Sequence, residues 1–220
     1  LTEREAARWQ DQFAVAWPLI ERRYPGYFPG LASGLTTLMP LANDVPGREI
    51  SAATRQAFGA VAAALPADGA ALALLLLHEF QHVKLGAVLD LFDLCDPADT
   101  GRYFAPWRED PRPLGQLLQG SYAHIAVTDF WRARRHELSG PDALAAAERF
   151  ARWRTLTAEA IETLAGSGAL TQLGARFVDG MRVTVRPWLD EPVPRAAADA
   201  AGDWAALRRA AFGRRREQAR

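Results

Sequence analysis

The chain has 220 residues, and its 26 basic and 26 acidic side chains give a formal net charge of zero. This balance provides no electrostatic basis for binding nucleic acid or an anionic membrane surface. With 49% hydrophobic residues the chain can build one substantial core, so we expect a single domain over residues 1–220. It opens at Leu1 rather than at methionine and could be part of a longer protein. The only cysteine, Cys95, excludes an intrachain disulfide and favours a reducing, cytoplasmic location.

The N-terminal part combines one helical pattern with turn-rich segments. Apolar side chains recur at helical spacing over residues 1–21, which predicts an amphipathic helix. Proline and glycine predict a loop over residues 24–34, and a short strand is expected over residues 35–41. Residues 43–48 have the composition of a turn.

A long apolar helix is the strongest prediction that follows. Residues 50–65 fit either a strand or a helix of small side chains, and the pattern does not decide between them. From Asp68, a suitable N-cap, a helix is predicted to run to about Leu94. Its apolar run, residues 69–77, is about half as long as a membrane span requires, so neither a transmembrane nor a signal segment is expected.

An ordered loop and a second long helix are predicted next. Residues 96–115 are rich in proline, charge and aromatic side chains, which favours a loop held in place by its aromatics. Pro113 suits the first turn of a helix that should continue to about Glu137, with residues 139–141 ending it.

The C-terminal part is predicted to be mainly helical. We expect a helix over residues 142–164, a break at residues 166–168 and a shorter helix over residues 171–179. A strand is predicted over residues 181–185, and a final helix near Asp203.

The sequence HEFQH places two histidines at the spacing of metal ligands. His78 and His82 are four residues apart, so a helix brings both imidazoles to one face, where they can bind one ion. Glu79 lies about 100° round that helix and is the candidate catalytic residue, either as a base on metal-bound water or as a group that orients a ligand. Leu85 and Val88 stand where the long metzincin motif requires glycine and histidine, which excludes that class. The alternative is a buried helix whose histidines are satisfied by hydrogen bonds.

A third ligand is expected from the following helix. Along one helix Asp90 and Asp93 lie roughly 12 Å and 16 Å from His82, too far to share its ion. His124 lies in the apolar middle of the next predicted helix and is the expected third ligand, whereas His136 lies among charged residues and is expected at the surface. The predicted fold is therefore mainly α with a minor β component, a single helical domain with the metal site between these two helices. Three histidines suit zinc hydrolysis and ferrous oxygen chemistry alike.

Basic residues near this site are candidates for binding an anion. The loop before the helix of His124 contains Arg108 and Arg112, whose guanidinium groups match a carboxylate bidentately. Pairing of both arginines with Glu109 and Asp110 is an equally good reading. Lys84, the only lysine, is a weaker candidate because it lies about 200° round the helix from His82.

Three segments together resemble a known family. HEFQHVKL, YFAPWREDPRPLG and GSYAHIAV occur in this order within residues 77–130. They resemble the HExxH-motif peptide-modification proteins, which occur alone or fused behind radical SAM maturases and act as iron- and 2-oxoglutarate-dependent β-hydroxylases of ribosomally synthesised precursor peptides. The chain could then be the C-terminal part of such a fusion.

The resemblance implies a ligand set and a cosubstrate. His78, His82 and His124 would bind Fe(II), and Glu79 would orient the site rather than act as a hydrolytic base. The candidates for binding the 2-oxoglutarate carboxylate are Arg108, Arg112 and Lys84. The expected partners are a precursor peptide and a fused or associated radical SAM maturase. The main alternative is a zinc-dependent peptidase that uses Glu79 as general base with Zn(II), and a second is a binding module without catalysis.

Overall fold

The computed structural model describes residues 1–42, 50–53 and 57–218, and the turn predicted at residues 43–48 lies outside these ranges. Over the described ranges helices dominate and three strands form a small sheet, which confirms a mainly α fold with a minor β component. In chain order the elements are α1 (Glu3–Arg23), α2 (Phe28–Gly34), β1 (Thr37–Pro40), β2 (Ser51–Ala53), β3 (Ala60–Ala63), α3 (Gly69–Leu89), α4 (Leu114–Arg134), α5 (Gly140–Ala165), α6 (Gln172–Leu189) and α7 (Arg195–Gln218).

The chain forms two compact units, Leu1–Val88 and Leu89–Arg220. The first contains α1, α2, the sheet and nearly all of α3, and the second contains α4 to α7. The single domain expected over residues 1–220 stays a prediction.

The sheet of the first unit has the strand order β1-β3-β2. β3 pairs in parallel with β1 and antiparallel with β2, so it is the central strand. Residues 50–65, which suited a strand or a helix equally, thus contain two strands. Small side chains such as those of β3 tolerate either conformation, and pairing with β1 and β2 supplies the backbone partners that decide it.

The long helices of the first unit are close to their predicted positions. The Thr2 side chain accepts a hydrogen bond from the Glu5 amide at the start of α1. Asp68 caps α3 as expected, its Oδ1 accepting a hydrogen bond from the Ala71 amide at 2.8 Å. α3 ends at Leu89, however, a full turn before the predicted end near Leu94.

Helix α2 corrects the loop predicted over residues 24–34. Pro29 lies in its first turn, where a missing amide hydrogen costs nothing. Gly34 lies at its end, against α3, and a Cβ there would come within 2.7 Å of Phe80. Proline thus begins a short helix here, and glycine lets the end of that helix pack closely against α3, although both residue types are also typical of a loop.

Helix α3 is long and apolar enough to cross a membrane by length and composition, with a mean hydropathy of 1.3 over its best window. Core helices of water-soluble domains meet the same criterion, and 56% of that window is buried inside the protein. A place in the core of the first unit therefore explains the hydropathy of α3 at least as well as a membrane span would.

In the second unit α5 contacts α4, α6 and α7. The loop before α4 has no helix, yet it is ordered, as predicted. Tyr103 and Arg112 hold it together by exchanging two backbone hydrogen bonds of 2.8 and 2.9 Å. Helix α4 ends at Arg134, earlier than the predicted Glu137.

Two further predictions in the second unit were wrong, the role of residues 139–141 and the strand over residues 181–185. Residues 139–141 open α5 instead of only ending α4, because Ser139 occupies the N-cap and Pro141 the first turn. The strand predicted over residues 181–185 is part of α6, which continues without a break to Leu189. The reason is burial at helical spacing along α6, shown by Val178, Met181, Val185 and Trp188.

Three arginines contact Glu191 where α6 ends, two through its carboxylate and one through its backbone carbonyl. Arg132 and Arg135 of α4 both pair with Glu191. Arg154 of α5 donates to the Glu191 carbonyl, and Arg135 also donates to the Pro192 carbonyl at 2.8 Å. This cluster attaches the end of α6 to α4 and α5.

Candidate metal centre

The two motif histidines are neighbours on α3. The ring centroids of His78 and His82 are 4.9 Å apart, and the ring planes make an angle of 71°. Both residues are partly exposed, whereas the leucines before them are mostly in the core. The helical spacing thus places both imidazoles together at one side of an apolar helix, as predicted.

Glu79 is buried beside this pair, with only 4% of its surface exposed. Its Oε1 accepts a hydrogen bond of 2.6 Å from the Ser51 hydroxyl of β2 and lies 3.4 Å from His78 Nδ1. Burial raises the pKa of Glu79, but the hydrogen bond and charge of His78, the Ser51 hydroxyl and the charge of His82 outweigh it and hold the pKa below its ordinary value. The carboxylate is therefore ionised at neutral pH.

Ser51 is a site residue that the sequence did not reveal. It lies in the segment that fitted a strand or a helix equally, and a lone serine outside any motif carries no signal. Only the antiparallel pairing of β2 with β3 brings it against α3.

His124, in the second unit, is buried and oriented by hydrogen bonding. Only 8% of its surface is exposed, and Nδ1 lies 2.8 Å from the Gly120 carbonyl oxygen. A carbonyl only accepts, so Nδ1 carries the proton and the Nε2 of the neutral ring carries the lone pair. Metal-binding histidines commonly have this arrangement.

Two indoles contact the His124 ring. Trp107 stacks on it with centroids 4.2 Å apart and planes only 15° apart. Trp153 of α5 lies at 4.7 Å with a tilt of 48°. An ordered aromatic loop was predicted over residues 96–115, but its contact with His124 was not.

Over the described ranges, no three His, Cys, Asp or Glu side chains form a group that could hold a metal ion. His78 and His82 are thus a pair, and the third ligand stays a prediction. His136 is exposed just beyond α4, which confirms its expected surface position. Asp90 and Asp93 are exposed as well.

The two loop arginines share one carboxylate. Arg108 Nε and Arg112 Nε lie 3.4 and 3.3 Å from the two oxygens of Asp110. Arg112 also donates to Gln116 at 2.8 Å. Of the two roles expected for these arginines, local pairing is thus present. A carboxylate ligand would have to compete with Asp110.

Lys84 lies on α3, one turn beyond Phe80. Its ammonium is 5.7 Å from the centroid of the Tyr27 ring, and burial lowers its pKa. Desolvation disfavours the charged form of this half-buried ammonium.

No family model matches the chain, and no curated protein matches it either. The resemblance to the HExxH-motif peptide-modification proteins therefore depends on the three motifs alone.

Proposed function

We propose that the chain is a cytoplasmic Fe(II)- and 2-oxoglutarate-dependent dioxygenase that β-hydroxylates residues of a ribosomally synthesised precursor peptide. The observation that carries this proposal is the pair formed by His78 and His82 beside the buried carboxylate of Glu79. A precursor peptide and a fused or associated radical SAM maturase are the proposed partners, and neither nucleic acid nor a membrane is among them.

His78, His82 and His124 are the proposed iron ligands. Imidazole nitrogen suits both iron and zinc, so the donor set fits the ion. For His124 the support is its tautomer, since the bond from Nδ1 to the Gly120 carbonyl leaves Nε2 as the basic nitrogen.

The surroundings of Glu79 favour an oxygenase over a zinc peptidase. A peptidase needs this carboxylate to take a proton from metal-bound water. Here Oε1 accepts the Ser51 hydroxyl and faces His78, and the residue is almost completely buried. These contacts suit a group that orients His78 through Nδ1, and Nε2 is the proposed ligand atom.

The cosubstrate accounts for the oxidising chemistry. Ferrous iron with 2-oxoglutarate supplies the means to split dioxygen, so that one oxygen atom enters a Cβ–H bond of the peptide and the other enters 2-oxoglutarate, which leaves as succinate and carbon dioxide. We propose that the distal carboxylate of 2-oxoglutarate is bound by one of three basic side chains, Arg108, Arg112 or Lys84.

Anaerobic addition of ferrous iron and 2-oxoglutarate tests the proposal. We expect a weak visible charge-transfer band that zinc does not produce, that His82→Ala and His124→Ala abolish and that His136→Ala retains. Three variants then identify the anion site: Arg108→Ala, Arg112→Ala and Lys84→Met. The substitution that removes the binding residue should weaken 2-oxoglutarate binding at least tenfold. Absence of the band in a zinc-binding protein that cleaves a peptide library would overturn the proposal and make Glu79 a hydrolytic base.

A further inference from the structure

The His124 ring is held on one face by the indole of Trp107. The centroids are 4.2 Å apart and the planes nearly parallel, at 15°. A histidine ring turns easily about its last side-chain bond, because that torsion has broad minima. A flat partner in contact with the ring face restricts this rotation, whereas an aliphatic partner of equal volume restricts it less.

Gly120 makes this stack possible. A Cβ at this position would overlap the Trp107 indole, so the indole lies directly on the helix backbone. Glycine destabilises the interior of a helix relative to alanine, and Gly120 lies inside α4. The close approach of Trp107 gives a physical reason for glycine at this position.

The same glycine also orients His124 through its backbone. Its carbonyl accepts the bond of 2.8 Å from Nδ1, one helical turn before His124. Gly120 therefore sets the tautomer by its carbonyl and the ring plane by leaving room for the indole.

We propose that Trp107 and Gly120 are positioning residues for His124, which together present its Nε2 in one tautomer and one orientation. The contacts that set this orientation all lie within the second unit. Its consequence for a bound metal rests on the proposed function, in which His124 is a ligand.

The first test uses the metal-free protein. Long-range nitrogen–proton NMR spectra of the imidazole should show His124 wholly as the Nδ1–H tautomer. We expect Trp107→Phe to keep this signature and Trp107→Leu and Gly120→Ala to give a mixture of tautomers. Trp131→Leu is the matched control, because Trp131 lies about two turns beyond His124 on α4, and it should leave the signature unchanged.

The second test is metal affinity, measured with cobalt(II) as a spectroscopic probe. Loss of a residue that orients a ligand typically weakens metal binding by about 10- to 100-fold. We expect a loss in this range for Trp107→Leu and Gly120→Ala, and a small change for Trp107→Phe and Trp131→Leu.

The outcomes separate the two proposals. Wild-type tautomer and affinity in both Trp107→Leu and Gly120→Ala would overturn the positioning role, and if Trp107→Leu does not fold, Gly120→Ala alone decides it. Unchanged cobalt affinity in His124→Ala would instead remove His124 from the ligand set, while the NMR test of its orientation remains valid.

Discussion

At the scale of the residue, the buried carboxylate of Glu79 depends on a hydroxyl from a short strand. Ser51 donates to Glu79 Oε1 at 2.6 Å, and a buried anion that loses a donor keeps its desolvation penalty. The bond therefore stabilises the ionised form and attaches β2 to α3.

Removal of this hydroxyl should weaken the first unit. We expect Ser51→Ala to lower the free energy of unfolding by about 1.5 to 3 kcal/mol, as for other hydrogen bonds to charged groups, when measured by urea titration at pH 7. Ser51→Thr retains a hydroxyl and suits a strand, so it should lose less. Equal stability of the alanine variant and the wild type would show that the bond contributes nothing.

The reactivity of the Cys95 thiol depends on its pKa. Burial raises the pKa of its thiol, and the negative charge of Asp99 raises it further. The thiolate, which is the reactive form, is therefore scarcer at pH 8 in the folded chain than in the unfolded one. We expect iodoacetamide to modify the folded protein more slowly than the urea-denatured protein at this pH.

Asp99→Asn should accelerate this modification. Asparagine removes the charge but can still accept the bonds that Asp99 Oδ1 receives from the Gly101 amide and the Tyr103 hydroxyl. An unchanged rate in this variant would assign the raised thiol pKa to burial alone.

At the scale of the element, Glu191 holds the end of α6 to α4 and α5 through guanidinium groups. The Arg135 side chain is only 5% exposed, and Arg132 lies close by. Without the carboxylate these positive charges would repel one another at short range in a poorly solvated place.

Glu191→Gln should therefore be strongly destabilising. We expect a loss of about 2 to 4 kcal/mol in the free energy of unfolding, somewhat below the usual range for a fully buried pair because Arg132 is partly exposed. Glu162→Gln is the matched control, since Glu162 pairs with Arg182 on the surface and should cost less than about 1 kcal/mol. Similar losses in both variants would contradict this role for Glu191.

Helix α7 holds the loop that carries Trp107. The Arg208 guanidinium donates to the carbonyl oxygens of Pro106 and Arg108 at 3.0 and 2.6 Å. We expect Arg208→Ala to increase amide hydrogen exchange over residues 105–108, measured by mass spectrometry, by roughly tenfold. Arg209→Ala, a change at the next position of α7 that removes a pair with Glu159 of α5, should leave this exchange unchanged.

At the scale of the whole molecule, the proposed ion would stabilise the folded chain by mass action. An ion that binds only the folded state at 100 times its dissociation constant adds about 2.7 kcal/mol. We expect ferrous iron, added anaerobically, to raise the melting temperature and EDTA to reverse the effect. His82→Ala should abolish the rise, and a rise of equal size in that variant would place the ion elsewhere.

The helices were largely predictable because their signals are local. Periodic apolar residues and the Asp68 cap predicted α1 and α3, since both signals operate within a few turns of one helix. The predictions were wrong where one residue type suits two structures, as with Pro29 and Gly34 in α2 and the valines of α6. In each case burial against another element decided the conformation.

By itself, the sequence determined the helical fold class and the pairing of His78 with His82, because spacing along one helix fixes which side chains share a face. Only the tertiary structure decided what surrounds the candidate ligands. Strand pairing brings Ser51 within hydrogen-bonding distance of Glu79. Trp107 stacks on His124 because Gly120 leaves room for the indole. Such contacts join segments far apart in the chain, and no local periodicity encodes them.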